Sequence, residues 1–313
     1  MALAGMALAG AAAVVQRNSR QAEADHPPHG RFVTSGGVRL HYVEKGQGHP
    51  VVFLHGNGGM IQDWLISGVV DQTTRSYKAI VFDRPGFGHS ERPRGRNWTE
   101  FAQASLFPDA FRLLGIDRPI VVAHSWGTLV ALALAREHPR LVAGLVLASG
   151  YYYPVPRRDV AVFSPAAVPV LGDILNHTVN PFIAEAIAPR LIEQMFAPQG
   201  VSPRFAAEYP LSLALRPSQI RAFAEESAHM VAAAENLSSR YRSLFPPTAI
   251  LAGDADQVVS YRQAQRLHGD VAGSHLDILP RGSHMVHHIA PERVVRAIDT
   301  VAAESQAWQH PIA

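Results

Sequence analysis

The sequence predicts an α/β fold: a mostly parallel, doubly wound sheet with an inserted helical cap. Three observations carry this. From Phe32 onward, short β-branched runs alternate with longer helical patterns, the mark of successive βαβ units. Runs such as VVFL and IVVA are apolar on both faces, as strands covered by helices on each side must be. From Tyr151 to about Phe245 the alternation stops: no strand pattern appears, and helix-like patches are separated by prolines at 165, 169, 181, 189, 198, 203, 210 and 217.

In chain order, residues 1–30 form an apolar N-terminal segment and a linker. Met1–Val15 reads MALAGMALAGAAAVV, with Arg17 and Arg20 after it. Fifteen apolar residues fall short of the ~20 that span a bilayer, and no basic residue precedes them as in a secretory signal. Two readings stay open: a membrane anchor or uncleaved signal, which makes the protein membrane-associated or exported, and a tail without anchoring function in a cytoplasmic protein. The polar stretch to Gly30, with Pro27 and Pro28, reads as linker. The core then runs in two parts, 31–150 and 246–313, around a cap at 151–245. Its strand candidates are 38–44, 51–55, 79–83, 119–124, 144–149, 248–253 and 275–280, with amphipathic stretches near 61–72, 100–115, 127–138, 258–268 and 286–306. In the second stretch Phe101, Leu106, Ala110, Leu113 and Leu114 fall at helical spacing, and Gly115 is a stop signal. The insertion reads as a cover over the C-terminal edge of the sheet, where open parallel sheets bind ligands; the rival is a separate helical domain beside it.

Composition narrows the function. A chain of 313 residues with 47% hydrophobic and 17% charged content buries a substantial core. The formal charge of +2 and the lack of any basic stripe argue against a nucleic-acid partner. Zero cysteines exclude disulfides, a thiol nucleophile and thiolate metal sites.

The strongest chemical signal is VVAHSWGTLVALALA, residues 121–135: a buried strand, a tight turn and a helix of small and aliphatic residues. Ala123-His124-Ser125-Trp126-Gly127 is close to G-x-S-x-G, in which small flanking residues let the backbone fold sharply and expose the serine. Serine needs a base. Among 16 histidines, His284 in PRGSHMVHH follows the last strand candidate, so its loop lies over the same sheet edge as Ser125. The cluster with His287 and His288 raises a metal site, set aside for want of an acidic or cysteine partner nearby. A carboxylate must orient the histidine, and ILAGDADQVVS at 250–260 offers Asp254 and Asp256. VVFLHGNGG at 51–59 ends a strand in a glycine loop whose backbone N–H at Asn57, with that of Trp126, can meet a developing oxyanion. A phosphate loop is the rival there, but its terminal Lys-Ser/Thr is missing.

With these motifs in hand, residues 32–305 resemble the α/β-hydrolase superfamily, in the capped branch that holds esterases, epoxide hydrolases, haloalkane dehalogenases and carbon–carbon bond hydrolases. FDRPGFGHS at 82–90 is similar to that branch's D-x-x-G-x-G-x-S stretch, which implies scaffold roles for Asp83, Gly86, Gly88 and Ser90. The G-x-x-D form of Gly253 and Asp256 favours Asp256 over Asp254 as the acid. The resemblance implies an α/β-hydrolase fold and a catalytic triad of Ser125, Asp256 and His284, with no cofactor and no metal. Dehalogenases and epoxide hydrolases attack with aspartate; Ser125 stands at that position, so the alkyl-enzyme route lacks its nucleophile. The expected activity is hydrolysis of carboxylic esters of small to medium hydrophobic molecules, with Trp126, Tyr151 and Tyr152 lining the pocket and Tyr153 beside them. A carbon–carbon hydrolase, a prolyl-type aminopeptidase, a perhydrolase and a triad-bearing ligand receptor are the alternatives.

Overall fold

A computed structural model describes residues 2–155 and 164–309; residues 156–163 of the expected cap, Met1 and residues 310–313 lie outside the described residues. Eight strands form one sheet: β1 (Arg31–Ser35), β2 (Val38–Lys45), β3 (Pro50–Leu54), β4 (Lys78–Phe82), β5 (Ile120–His124), β6 (Gly144–Ala148), β7 (Thr248–Gly253) and β8 (His275–Leu279). Their spatial order is β1-β2-β4-β3-β5-β6-β7-β8. β2 pairs antiparallel with β1 and β4, and the pairings from β4 through β8 are parallel. All seven strand candidates are present. β1 is an addition, and its short half-exposed pattern explains why no apolar run marked it.

Successive strand residues point to opposite faces, so each apolar strand feeds two layers. Val51, Phe53, Val81, Val122 and Val146 pack with Trp64, Val294 and Ile298 on one face. Val52, Leu54, Ile80, Val121 and Ala123 pack with Phe107, Phe111 and Leu129 on the other. The first layer is built by α2 (Ile61–Ile66), α3 (Val69–Thr73) and the C-terminal α14 (Pro291–Gln309); the second by α4 (Glu100–Ala104), α5 (Phe107–Leu114) and α6 (Gly127–Glu137). α14 lies so close that a Cβ on Gly144 would sit 2.0 Å from Val301.

Between β6 and β7 the described residues hold only helices and turns: α7 (Leu171–Asn176), α8 (Asn180–Phe196), α9 (Pro203–Glu208), α10 (Leu211–Ala214) and α11 (Pro217–Ser238). Pro181, Pro203 and Pro217 start helices, where a missing N–H is harmless. α12 (Arg262–Asp270) and the short α13 (Val286–Ile289) complete the core.

The N-terminal segment is one helix, α1 (Ala2–Asp25), which runs through much of the expected linker. Its polar half is rich in Arg, Gln, Ala and Glu, all good helix formers. Val15 and Ala22 are buried, and Glu23 pairs with Arg216 at 2.6 Å. Among the described residues no helix is long and apolar enough to cross a membrane.

Candidate active site

β5 runs straight into the turn that carries Ser125. The serine has φ +50°, a left-handed conformation that non-glycine residues seldom adopt. Three bonds hold it there: Ser125 N donates to the Ala148 carbonyl (2.9 Å), and its own carbonyl accepts from Thr128 N (3.0 Å) and Thr128 Oγ1 (2.6 Å). Gly127 allows this turn to press on β3, since a Cβ would meet the His55 carbonyl oxygen at 2.5 Å. Ala123, by contrast, buries its methyl completely in the core, so the first small position accepts one carbon.

Two more loops converge on Ser125 through a glycine contact. A Cβ on Gly253 would lie 2.2 Å from the Gly282 backbone, so the exits of β7 and β8 touch main chain to main chain. Asp254 N and Ala255 N bond the Leu279 and Gly282 carbonyls. On this frame Asp256 Oδ1 accepts from Val258 N (2.7 Å) and Val259 N (2.9 Å), while Oδ2 lies 2.7 Å from His284 Nδ1. His284 Nε2 is 3.0 Å from Ser125 Oγ. An ionised carboxylate only accepts, so Nδ1 carries the proton and Nε2 offers its lone pair to the serine hydroxyl. The side chains of Asp256 and His284 are 1% and 3% exposed. Asp254 is exposed, and among the described residues no hydrogen bond shapes the loop through its side chain; the backbone bonds do that.

A second carboxylate, which the sequence did not single out, secures the histidine loop. Asp63 of α2 accepts from His287 Nε2 (3.1 Å) and His288 Nε2 (2.9 Å) through one oxygen, and His124 Nε2 donates to the His284 carbonyl (3.1 Å). Burial opposes the charge on Asp63, but the two imidazoles outweigh it and hold the carboxyl well below its usual range. Burial also depresses His124 and His287 below the ordinary imidazole value. The acidic partner that the sequence around the histidine cluster lacks is Asp63, 224 and 225 residues away in the chain from His287 and His288. It forms, with His124 and His287, a group whose candidate ligand atoms lie within 4.8 Å of one another, while His284 is engaged by Asp256.

Ser125 and His284 open onto a cavity of about 470 Å³ whose walls come from the β3–α2 loop and the inserted helices. Its lining is mainly aliphatic and aromatic, as in Ile183, Ile187, Leu191, Phe205, Leu215 and Phe223. Among the described lining residues there is no Lys or Arg, and the carboxylate is Asp63.

Residues 51–297 match the Alpha/beta hydrolase family. The chain belongs to that family. Among curated relatives of this hydrolase, haloalkane dehalogenase 2 of Mycobacterium tuberculosis is 27% identical over 87% of this chain and 94% of its own length. A 2-hydroxymuconate semialdehyde hydrolase of a Pseudomonas species is 26% identical over 90% and 96%. A solved thermophilic esterase from Thermogutta terrifontis superposes with a TM-score of 0.66 at 21% identity, over 88% of this chain and 98% of that one, which speaks for the fold.

Three pocket expectations for the hydrolase need correction. Tyr151 and Tyr152 are buried in the main apolar core, and neither lines the cavity. Tyr153 joins them, its hydroxyl donating to Asp270 at 2.8 Å. The chain turns inward after Gly150, which a side chain would block: a Cβ there would meet the Tyr152 ring at 2.4 Å. The Trp126 indole also faces away from the cavity. It is fully buried, donates to the Glu226 carbonyl (3.1 Å) and stacks on Arg84. Asn57 does line the cavity, its side-chain amide donating to Phe223 O and Ser227 Oγ, each at 3.1 Å.

Proposed function

We propose that the protein is a serine hydrolase that cleaves carboxylic esters of apolar, small to medium molecules through an acyl-enzyme. The single observation that carries this is His284 bridging Asp256 (2.7 Å) and Ser125 (3.0 Å) at the wall of an apolar cavity. In the proposed reaction Ser125 Oγ attacks the ester carbonyl carbon as His284 Nε2 takes its proton. Negative charge moves to the carbonyl oxygen, where the backbone N–H groups of Asn57 and Trp126 receive it; the latter stands at the start of α6, where N–H groups have no helical partner. Collapse of the tetrahedral species breaks the C–O bond, and His284 returns the proton to the departing alcohol. Water then repeats the sequence on the acyl group with His284 as base. Asp256 stabilises the imidazolium in both halves.

The dehalogenase likeness does not carry its chemistry over, because the attacking position holds Ser125 and no carboxylate. Carbon–carbon hydrolysis is the second reading, favoured by the relative that acts on 2-hydroxymuconate semialdehyde. A carboxylate-bearing substrate of that kind would meet the Asp63 anion and no cation among the described lining residues, so neutral esters fit better. Steady-state hydrolysis of p-nitrophenyl esters from acetate to dodecanoate tests this. Many turnovers per protein, with kcat/KM rising with acyl length to an optimum, are expected. A single burst without turnover points to a receptor, and failure on every ester overturns the esterase reading.

A further inference from the structure

We propose that cap helix α11 positions the oxyanion-binding peptide through Glu226 and Arg84, so that what fills the cavity is felt at the nucleophile; this rests on the serine-hydrolase reading above. The chain of contacts begins at the Gly56 carbonyl. It accepts from Arg84 Nη2 (2.9 Å), Gly59 N (3.2 Å) and His55 Nδ1 (2.8 Å). The His55 tautomer follows from its other nitrogen, because Nε2 lies 2.9 Å from the Arg84 backbone N–H and must accept, which leaves the proton on Nδ1. Three donors on one carbonyl fix the plane of the Gly56–Asn57 peptide. In a trans peptide the N–H points opposite to the C=O, so fixing the Gly56 carbonyl fixes the direction of the Asn57 N–H. The peptide lies against the nucleophile: a Cβ on Gly56 would be 3.1 Å from Ser125 Cβ.

Arg84 is held in turn by the cap. Its guanidinium is fully buried, donates to the His55 carbonyl (2.8 Å) and Gln103 (2.9 Å), and makes a two-pronged pair with Glu226 of α11. Gln103 closes the ring by donating to Glu226 (2.9 Å). A buried ion pair is favourable only when its remaining hydrogen-bonding capacity is met, and here the loop carbonyls help meet it. Other cap groups grip the same loop. Phe223 and Ser227 of α11 hold the Asn57 amide, and the Tyr209 hydroxyl donates to the Gly58 carbonyl (3.0 Å). One face of α11 lines the cavity with Ile220, Phe223 and Ala224. The helix that meets the substrate therefore also holds the peptide that meets the oxyanion. Glu226 and Arg84 are positioning residues, acting through the Gly56–Asn57 peptide.

Full-length Glu226→Gln and Tyr209→Phe, assayed against wild type on one p-nitrophenyl ester, test this. Two inhibitors are added: a trifluoromethyl ketone, which forms a tetrahedral adduct, and the matching methyl ketone, which binds as a trigonal ground state. Glu226→Gln should lower kcat about 10- to 100-fold, part of what losing an oxyanion donor costs. KM and methyl-ketone affinity should stay near wild type, while trifluoromethyl-ketone affinity falls in step with kcat/KM. Tyr209→Phe should show a smaller loss with the same split. A lower melting temperature with unchanged kcat and ketone affinities in the folded protein overturns the proposal. If Glu226→Gln does not fold, unchanged ratios in Tyr209→Phe overturn it equally. A wild type inert to fluorophosphonate removes the hydrolase reading itself, whereas reactive wild type with unaffected variants removes only this one.

Discussion

Asp254 and Asp256 stand two residues apart on one loop, and their environments separate them. Asp256 spends one oxygen on two backbone N–H groups and aims the other at His284; Asp254 faces solvent. Under the proposed mechanism, Asp256→Asn presents an amide where Nδ1–H needs an acceptor, and the wrong tautomer then faces Ser125. Its kcat should fall by about 10⁴-fold with KM little changed, while Asp254→Asn should stay within about 3-fold, as exposed substitutions do. Comparing kcat for the two variants on one activated ester checks this, and a crippled Asp254→Asn would move the acid assignment. Ser125 and His284 were legible because each follows a strand candidate whose exit sets its place at one sheet edge; the strand before the acid loop left Asp254 and Asp256 both open, and the G-x-x-D form of the family resemblance favoured Asp256. Asp63 and Arg84 were not legible. A charged residue in IQDWLI or FDRPGFG reads as surface or scaffold, and its partners, such as Glu226 at 142 residues' separation from Arg84, are brought to it only by the fold.

At the scale of elements, strands were easier to read than helix ends or the insertion's packing. Strands buried on both faces announce themselves as apolar runs; β1, with alternate exposure and only an antiparallel neighbour, does not. The amphipathic stretch near 61–72 forms two helices, α2 and α3, divided at Gly68, whose φ of +86° interrupts the helical path. Gly115 does end α5, in the left-handed conformation that favours glycine. The tyrosines at 151–153 were misplaced because a position after β6 fixes where the chain leaves the sheet, not which way the side chains turn. α1 outran its apolar half because helix propensity and the pairing of Glu23 with Arg216 extend it where periodicity gives no signal.

Across the whole molecule, the buried histidines set a pH dependence. Burial, aided by the Arg84 charge, pushes His55 down to about 3. Burial and neighbouring imidazoles depress His124 and His287 as well. In the unfolded chain each would titrate near ~6.5. Below that value the unfolded state binds more protons than the folded one, so stability falls as pH drops from about 6.5 toward 3. The depressed carboxyls of Asp63 and Asp83 add a loss at still lower pH, as they are protonated. Thermal midpoints should therefore decline from pH 7 to pH 5 and further to pH 4; a flat or rising series would contradict the neutral buried state of these rings.

In the proposed reaction one nucleophile in a strained turn is activated by one histidine. Mass spectrometry of the full-length protein after treatment with a fluorophosphonate addresses it most directly, with the modified residue located by fragmentation and Ser125→Ala run in parallel. One phosphonyl group per chain is expected, on Ser125, and none on the Ser125→Ala variant. No adduct on the folded wild type, or an adduct that persists in Ser125→Ala, would contradict it.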